Sequence, residues 1–171
     1  MNEILDLHPK QWKLIIAPPR KRLLIAIAYL ARNIPLMVLD CGRQFDSSIV
    51  ARAARGQQEI IDNIKIQRAF TCYEVVKLLE QKQVGNTPVI LLDFLSTFYD
   101  ENVKISELKF LLENSIRHFQ RLSYGAGLAV SIYPPPNPPD AIYLFERLQS
   151  VTPYISAYGT LENKTSQLEL F

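Results

Sequence analysis

Apolar residues in this chain alternate between short unbroken runs and longer amphipathic stretches. Residues 13–17, Lys-Leu-Ile-Ile-Ala, read as a buried strand, ended by Pro18 and Pro19. Residues 20–32 read as a helix apolar over most of its circumference, as expected for a helix packed on a sheet. After Pro35, residues 36–40 form a second buried strand. Asp46 is placed to N-cap, and Gly56 to follow, a helix carrying Ile49, Val50, Ala53 and Ala54. Residues 63–70 alternate, with Ile64, Ile66 and Ala69 as the apolar members of a third strand. Thr71 and Glu74 then make a capping box for a helix bearing Val75, Val76, Leu78 and Leu79. Residues 88–93 are a fourth strand, continuous in apolar residues and so expected to be covered on both faces. Ile105, Leu108, Leu111, Leu112, Ile116, Phe119 and Leu122 keep the helical period. A fifth strand at 127–132, an extended proline run at 133–139, a short helix from Asp140 to about Leu148 and an edge strand at 151–158 complete the order. Strands alternating with helices predict an α/β fold: a doubly wound, mostly parallel sheet flanked by helices. We expect one domain over residues 1–158 and a polar, flexible tail over 159–171.

Composition narrows the function. The chain has 171 residues, 48% of them hydrophobic, and a formal charge of +2, too small to announce a nucleic-acid partner by field alone. Six glycines stand against eleven prolines, where average usage would give about twelve glycines. None precedes a Lys-Ser or Lys-Thr pair, so the loop G-x-x-x-x-G-K-[ST] is absent. The longest apolar run, residues 23–31, is far short of the roughly 20 residues that span a bilayer, so no membrane association is expected. Glu3 and Asp6 in a chain start without a basic flank argue against a signal peptide. Cys41 and Cys72 read as free thiols of a cytoplasmic protein, and His8 and His118 are too few for a histidine metal site.

In open parallel sheets function gathers at the carboxyl ends of strands. Here those ends carry the segment from Ala17 to Arg22, Asp40 and Asp93. Asp93 closes Val89-Ile90-Leu91-Leu92 in the manner of a magnesium-coordinating Walker B aspartate, although buried strands often end in Asp for no catalytic reason. The order of segments at 37–40, 45–46, 63–70, 89–93, 96–97 and 127–130 resembles the RecA-like ATPase core, most closely that of the recombinases and their paralogues. In that resemblance the phosphate loop falls on residues 17–24, read here as Ala17, Pro18, Pro19, Arg20, Lys21, Arg22, Leu23 and Leu24. Glycines are replaced at Ala17 and Arg22, two prolines remove amide donors, and Leu23-Leu24 stand where Lys-Ser/Thr belongs. The catalytic glutamate of the family falls on Gly42 and its polar sensor on Pro134-Pro135. The resemblance therefore implies a RecA-like fold with a degenerate site, no catalytic residue, no cofactor and no metal. A rival reading keeps an anion on Arg20-Lys21-Arg22 at a helix start. The family's DNA loops fall on the acidic Tyr99-Asp100-Glu101-Asn102 and on the proline run after Tyr133, so direct DNA binding is expected to be weak or absent. Arg117 and Arg121, one turn apart, read equally as surface arginines.

Residues Gln167, Leu168, Glu169, Leu170 and Phe171 resemble the pentapeptide with which bacterial repair proteins and polymerases dock on the sliding clamp. The competing reading is a last edge strand packing Leu168, Leu170 and Phe171 on the domain. Together the two resemblances point to the ImuA/SulA group of bacterial damage-response proteins. The expected role is a non-catalytic accessory protein of DNA repair or damage tolerance, in translesion synthesis or recombination, acting by protein contacts. Its expected partners are the sliding clamp and a polymerase or polymerase-like protein, with a RecA-like recombinase as a further candidate. The alternatives are a SulA-type division inhibitor and an ATP-dependent recombinase paralogue.

Overall fold

In the computed structural model, residues 3–136 and 139–158 are described. Six strands form a single sheet: β1 (Trp12–Ile16), β2 (Leu36–Asp40), β3 (Ile64–Arg68), β4 (Val89–Leu92), β5 (Leu128–Ile132) and β6 (Tyr154–Ala157). Every pairing is parallel and the order is β3-β2-β4-β5-β1-β6. Six helices connect them: α1 (Arg20–Leu30), α2 (Ser47–Ala54), α3 (Gln58–Asp62), α4 (Cys72–Gln81), α5 (Ile105–Ser123) and α6 (Pro139–Val151). Parallel strands need crossovers, and crossovers have one hand, so direction of travel decides which face receives each helix. From β1 to β2 to β3 the chain moves one way and lays α1, α2 and α3 on one face. From β3 back through β4, β5 and β6 it moves the other way and lays α4, α5 and α6 on the opposite face. The result is the doubly wound α/β class expected from the segment order, with every strand among the described residues parallel.

Covering both faces explains why the strands read as continuous apolar runs. Leu14, Ile16, Leu39, Leu91, Val130 and Ile132 enter the core under α4, α5 and α6. Their neighbours Ile15, Val38, Ile90, Leu92 and Ala129 enter the other core, under α1 and α2. The first core is organised on aromatic rings: Phe119 lies 4.9 Å from Phe94 and 5.4 Å from Trp12 between centroids. An Arg147–Glu113 pair, bidentate at 2.7 and 3.2 Å, ties α6 to α5.

The local signals act as their chemistry requires. Asp46 accepts from the Ser48 amide and caps α2, which ends at Arg55 in the left-handed conformation, followed by Gly56 at φ +76°. Thr71 accepts from the Glu74 amide at 3.1 Å, and the Glu74 carboxylate returns to the amide of Phe70. The box thus closes one residue earlier than the usual pairing with the cap residue. Helix α3, five residues long, has no counterpart in the sequence reading. β3 is a sheet edge, which leaves Ile66 39% exposed although its alternation marks it as inward. Both cysteines are buried free thiols. Among the described residues no helix is long and apolar enough to cross a membrane.

Two substitutions test this account in urea unfolding. Phe119→Ala, which empties the aromatic junction, is expected to cost about 3–5 kcal/mol. Thr71→Ala, which removes only a cap, is expected to cost about 1 kcal/mol.

Candidate functional site at the carboxyl ends of the strands

Because all strands are parallel, their carboxyl ends meet along one edge of the sheet and bring together Ala17, Asp40, Asp93 and Ser131 with the loops that follow. The connection from β1 to α1 is only Ala17, Pro18 and Pro19. A phosphate-cradling loop needs about six residues between strand and the helix-opening Lys. Here the helix starts at Arg20, and Leu23 and Leu24 lie within it, buried in the core. Ala17 sits at φ +52°, a conformation that favours glycine, and its amide is already given to the Ile132 carbonyl at 2.8 Å. Pro19 caps α1 without any side-chain hydrogen bond.

The three bases at the start of α1 do not converge. Arg20 donates through Nε to the Gln44 carbonyl at 2.7 Å and stands 3.9 Å from Asp46. Arg22 lies over the Tyr158 ring, 5.4 Å from its centroid. Lys21 lines a groove between α1 and α2.

Asp40 is fully engaged by its own loop. Its Oδ1 accepts from the amides of Gly42 and Gln44 at 3.3 and 2.9 Å, and Oδ2 from Phe45 at 2.9 Å. These bonds fold the chain after β2 tightly enough to bring Gly42 against Asp93. A Cβ on Gly42 would stand 2.2 Å from Asp93 Oδ2 and 2.5 Å from its Cβ. Gly42 is the position that the resemblance gives to the catalytic glutamate. No side chain of any kind fits there while Asp93 keeps its place.

Asp93 itself turns out of β4 in the left-handed conformation, at φ +53°, with its amide donating to Ser131 Oγ at 2.9 Å. Burial first, and the nearby Asp40 second, raise its carboxyl from 3.8 to about 6. Burial, Asp40 and Asp93 likewise push the Cys41 thiol well up, so it is a protonated, inert sulfur rather than a nucleophile. The Tyr99 hydroxyl donates to the Tyr133 carbonyl at 2.9 Å, and the Tyr133 hydroxyl donates to the Pro18 carbonyl at 2.7 Å. Burial, followed by Asp93, raises both phenols, which therefore stay donors. Thr97 Oγ1 is buried nearby without a hydrogen-bond partner. Among the described residues, no three His, Cys, Asp or Glu side chains are grouped to hold a metal ion.

The residues considered for DNA contact have hydrogen-bond partners within the domain. Tyr133 is half-buried and its hydroxyl is committed to the Pro18 carbonyl. Arg121 donates to the carbonyls of Lys82 and Leu79 at 2.8 and 2.9 Å, closing the end of α4, and Arg117 donates to Asn114. The sequence offers no sign of the Gly42–Asp93 contact or of the Tyr99–Tyr133–Pro18 chain, because both join residues far apart in the chain. Residues Gln167, Leu168, Glu169, Leu170 and Phe171 lie outside the described residues.

No protein-family model matches the chain, and no curated protein matches it. Among solved structures it is similar to a DnaB-like replicative helicase, studied with its interactions with primase, at 13% identity and a TM-score of 0.43. That match covers 74% of this chain and 39% of the helicase chain.

Two variants test the geometry. Gly42→Ala is expected to destabilise by about 1–3 kcal/mol in chemical unfolding, with Asp93→Gly in the same chain recovering most of the loss. Because the folded carboxyl of Asp93 is raised to about 6 from 3.8, the folded state binds its proton more tightly than the unfolded chain does. Its contribution is therefore complete below about pH 4 and lost as pH rises through about 6. Asp93→Asn, which keeps the left-handed backbone and cannot ionise, is expected to exceed the wild type in stability by about 2 kcal/mol at about pH 8 and to match it in acid.

Proposed function

We propose that this protein is a non-catalytic, RecA-like accessory factor of DNA repair or damage tolerance that acts through protein contacts. The observation that carries the first half is the three-residue connection between β1 and α1. It has neither the length nor the free amides to wrap a phosphate, and two of its three residues are prolines. Gly42 adds a second argument, since Asp93 occupies the space a water-activating carboxylate would need. With cradle and base both absent, in-line phosphoryl transfer has almost nothing to stabilise its transition state.

The repair assignment draws on the sequence. The order of segments resembles recombinase paralogues, and Gln167-Leu168-Glu169-Leu170-Phe171 resembles a sliding-clamp peptide. In such a peptide Leu170 and Phe171 would anchor in an apolar pocket while Gln167 orients the segment by a hydrogen bond. The partners this reading implies are the sliding clamp and a polymerase or polymerase-like protein.

Calorimetric titration with magnesium and ATP is expected to give no heat of binding and no turnover. Tight binding, or hydrolysis abolished by Asp93→Ala, overturns the non-catalytic reading. The full chain is expected to bind a bacterial sliding clamp, and a Leu170→Ala/Phe171→Ala variant is expected to lose that binding. Equal binding by both proteins, or binding by neither, removes the clamp.

A further inference from the structure

The formal charge of +2 hides a strong separation. Seven of the 19 Lys and Arg residues fall between residues 20 and 55, against two acids, Asp40 and Asp46. Asp40 is buried under three amides, and Asp46 caps α2 beside Arg20. The outer surface of α1 and α2 is therefore almost purely cationic. Between the two helices runs a groove of about 330 Å³. Its floor is the half-buried Ile25, Ile49 and Ala53, and its rim is the exposed Tyr29, Lys21, Arg32, Arg52 and Arg55.

The groove has a built shape. Arg32 lies 4.5 Å from the Tyr29 ring centroid and donates to the Ala53 carbonyl at 3.3 Å, which fixes the spacing of the helices. Lys21, Ile25 and Tyr29 follow one another along a single face of α1, with Arg32 in the turn just past its end, at the spacing that a third helix can lie against. Lys21 and Arg52 are exposed, and neither has an ion-pair partner among the described residues.

We propose that this groove docks an acidic amphipathic helix of a partner protein, its apolar stripe on Ile25 and Ile49 and its carboxylates toward Lys21, Arg52 and Arg55. This deepens the reading of the protein as one that acts by protein contacts and rests on it. Charge complementarity selects an acidic occupant. The lining favours a helix over a nucleic acid: the floor is aliphatic, and the one aromatic ring, Tyr29 on the rim, already carries the Arg32 guanidinium where a base would stack.

The test uses the full chain and three fluorescent probes in anisotropy titrations. The first is a synthetic helix with Leu at i, i+3, i+4 and i+7 and Glu on its remaining faces. The second has the same composition scrambled to destroy the stripe, and the third is single-stranded oligo-dT. The striped peptide is expected to bind at least about tenfold tighter than the scrambled one, and oligo-dT no better than the scrambled peptide. Lys21→Glu/Arg52→Glu, and separately Ile25→Ala/Ile49→Ala, are expected to abolish the preference. Lys104→Glu/Lys109→Glu, on the opposite layer, is expected to leave it unchanged. Equal binding of the two peptides, tighter binding of oligo-dT, or no effect of the groove variants overturns the proposal. Sedimentation in which the protein self-associates and Lys21→Glu/Arg52→Glu disperses it overturns it in favour of a second copy as occupant. ATP calorimetry and clamp binding are separate measurements, so this groove can fail while the non-catalytic reading stands.

Discussion

Everything in this molecule depends on burying a parallel sheet on both faces. Parallel strands cannot be joined by tight turns, so each must be followed by a crossover, and each crossover delivers a covering helix. The sequence meets this with central strands that are nearly continuous in apolar residues and with helices that turn an apolar face to them. Alternate residues of β1, β2, β4 and β5 then divide between two cores, one under α1 and α2 and one under α4, α5 and α6. The same constraint aligns all carboxyl ends on one edge. A functional site there is a consequence of topology, and its contents are a separate matter.

At this edge the contents have turned inward. Asp40, which ends β2, spends its carboxylate on three amides of its own loop. Asp93, which ends β4, lies against a glycine that leaves it just enough room. Both tyrosines of the edge donate to backbone carbonyls. Groups that could have met a ligand are instead used to hold one loop to the next. Meanwhile the outer face of α1 and α2 carries charge with few internal partners. The polar groups at the strand ends are thus satisfied internally, while those on α1 and α2 face outward.

Most of the fold was legible because its signals are local. Asp46, the pairing of Thr71 with Glu74, and the apolar period of α5 each specify an element within a few residues of themselves. Prolines 18 and 19 marked the end of β1, although only the structure reveals that three residues join it to α1. What remained hidden was non-local. Ile66 alternates as a core residue but lies on an edge strand, where alternation has no partner to meet. Arg121 reads as a surface cation on α5 and proves to be the cap of α4. Gly42 reads as a missing carboxylate, while its physical role is to leave a void for Asp93.

A hydrogen-bonded relay runs from Tyr99 through Tyr133 to Pro18. It ties the segments that follow β4, β5 and β1 into a single brace spanning the centre of the sheet. In a machine that cycles, these are places where bond energy must be converted to movement, so they need slack. Braced, they have none: a displacement of one segment strains the other two. Such an edge holds its shape as one piece, and the loops after three neighbouring strands respond to any load together.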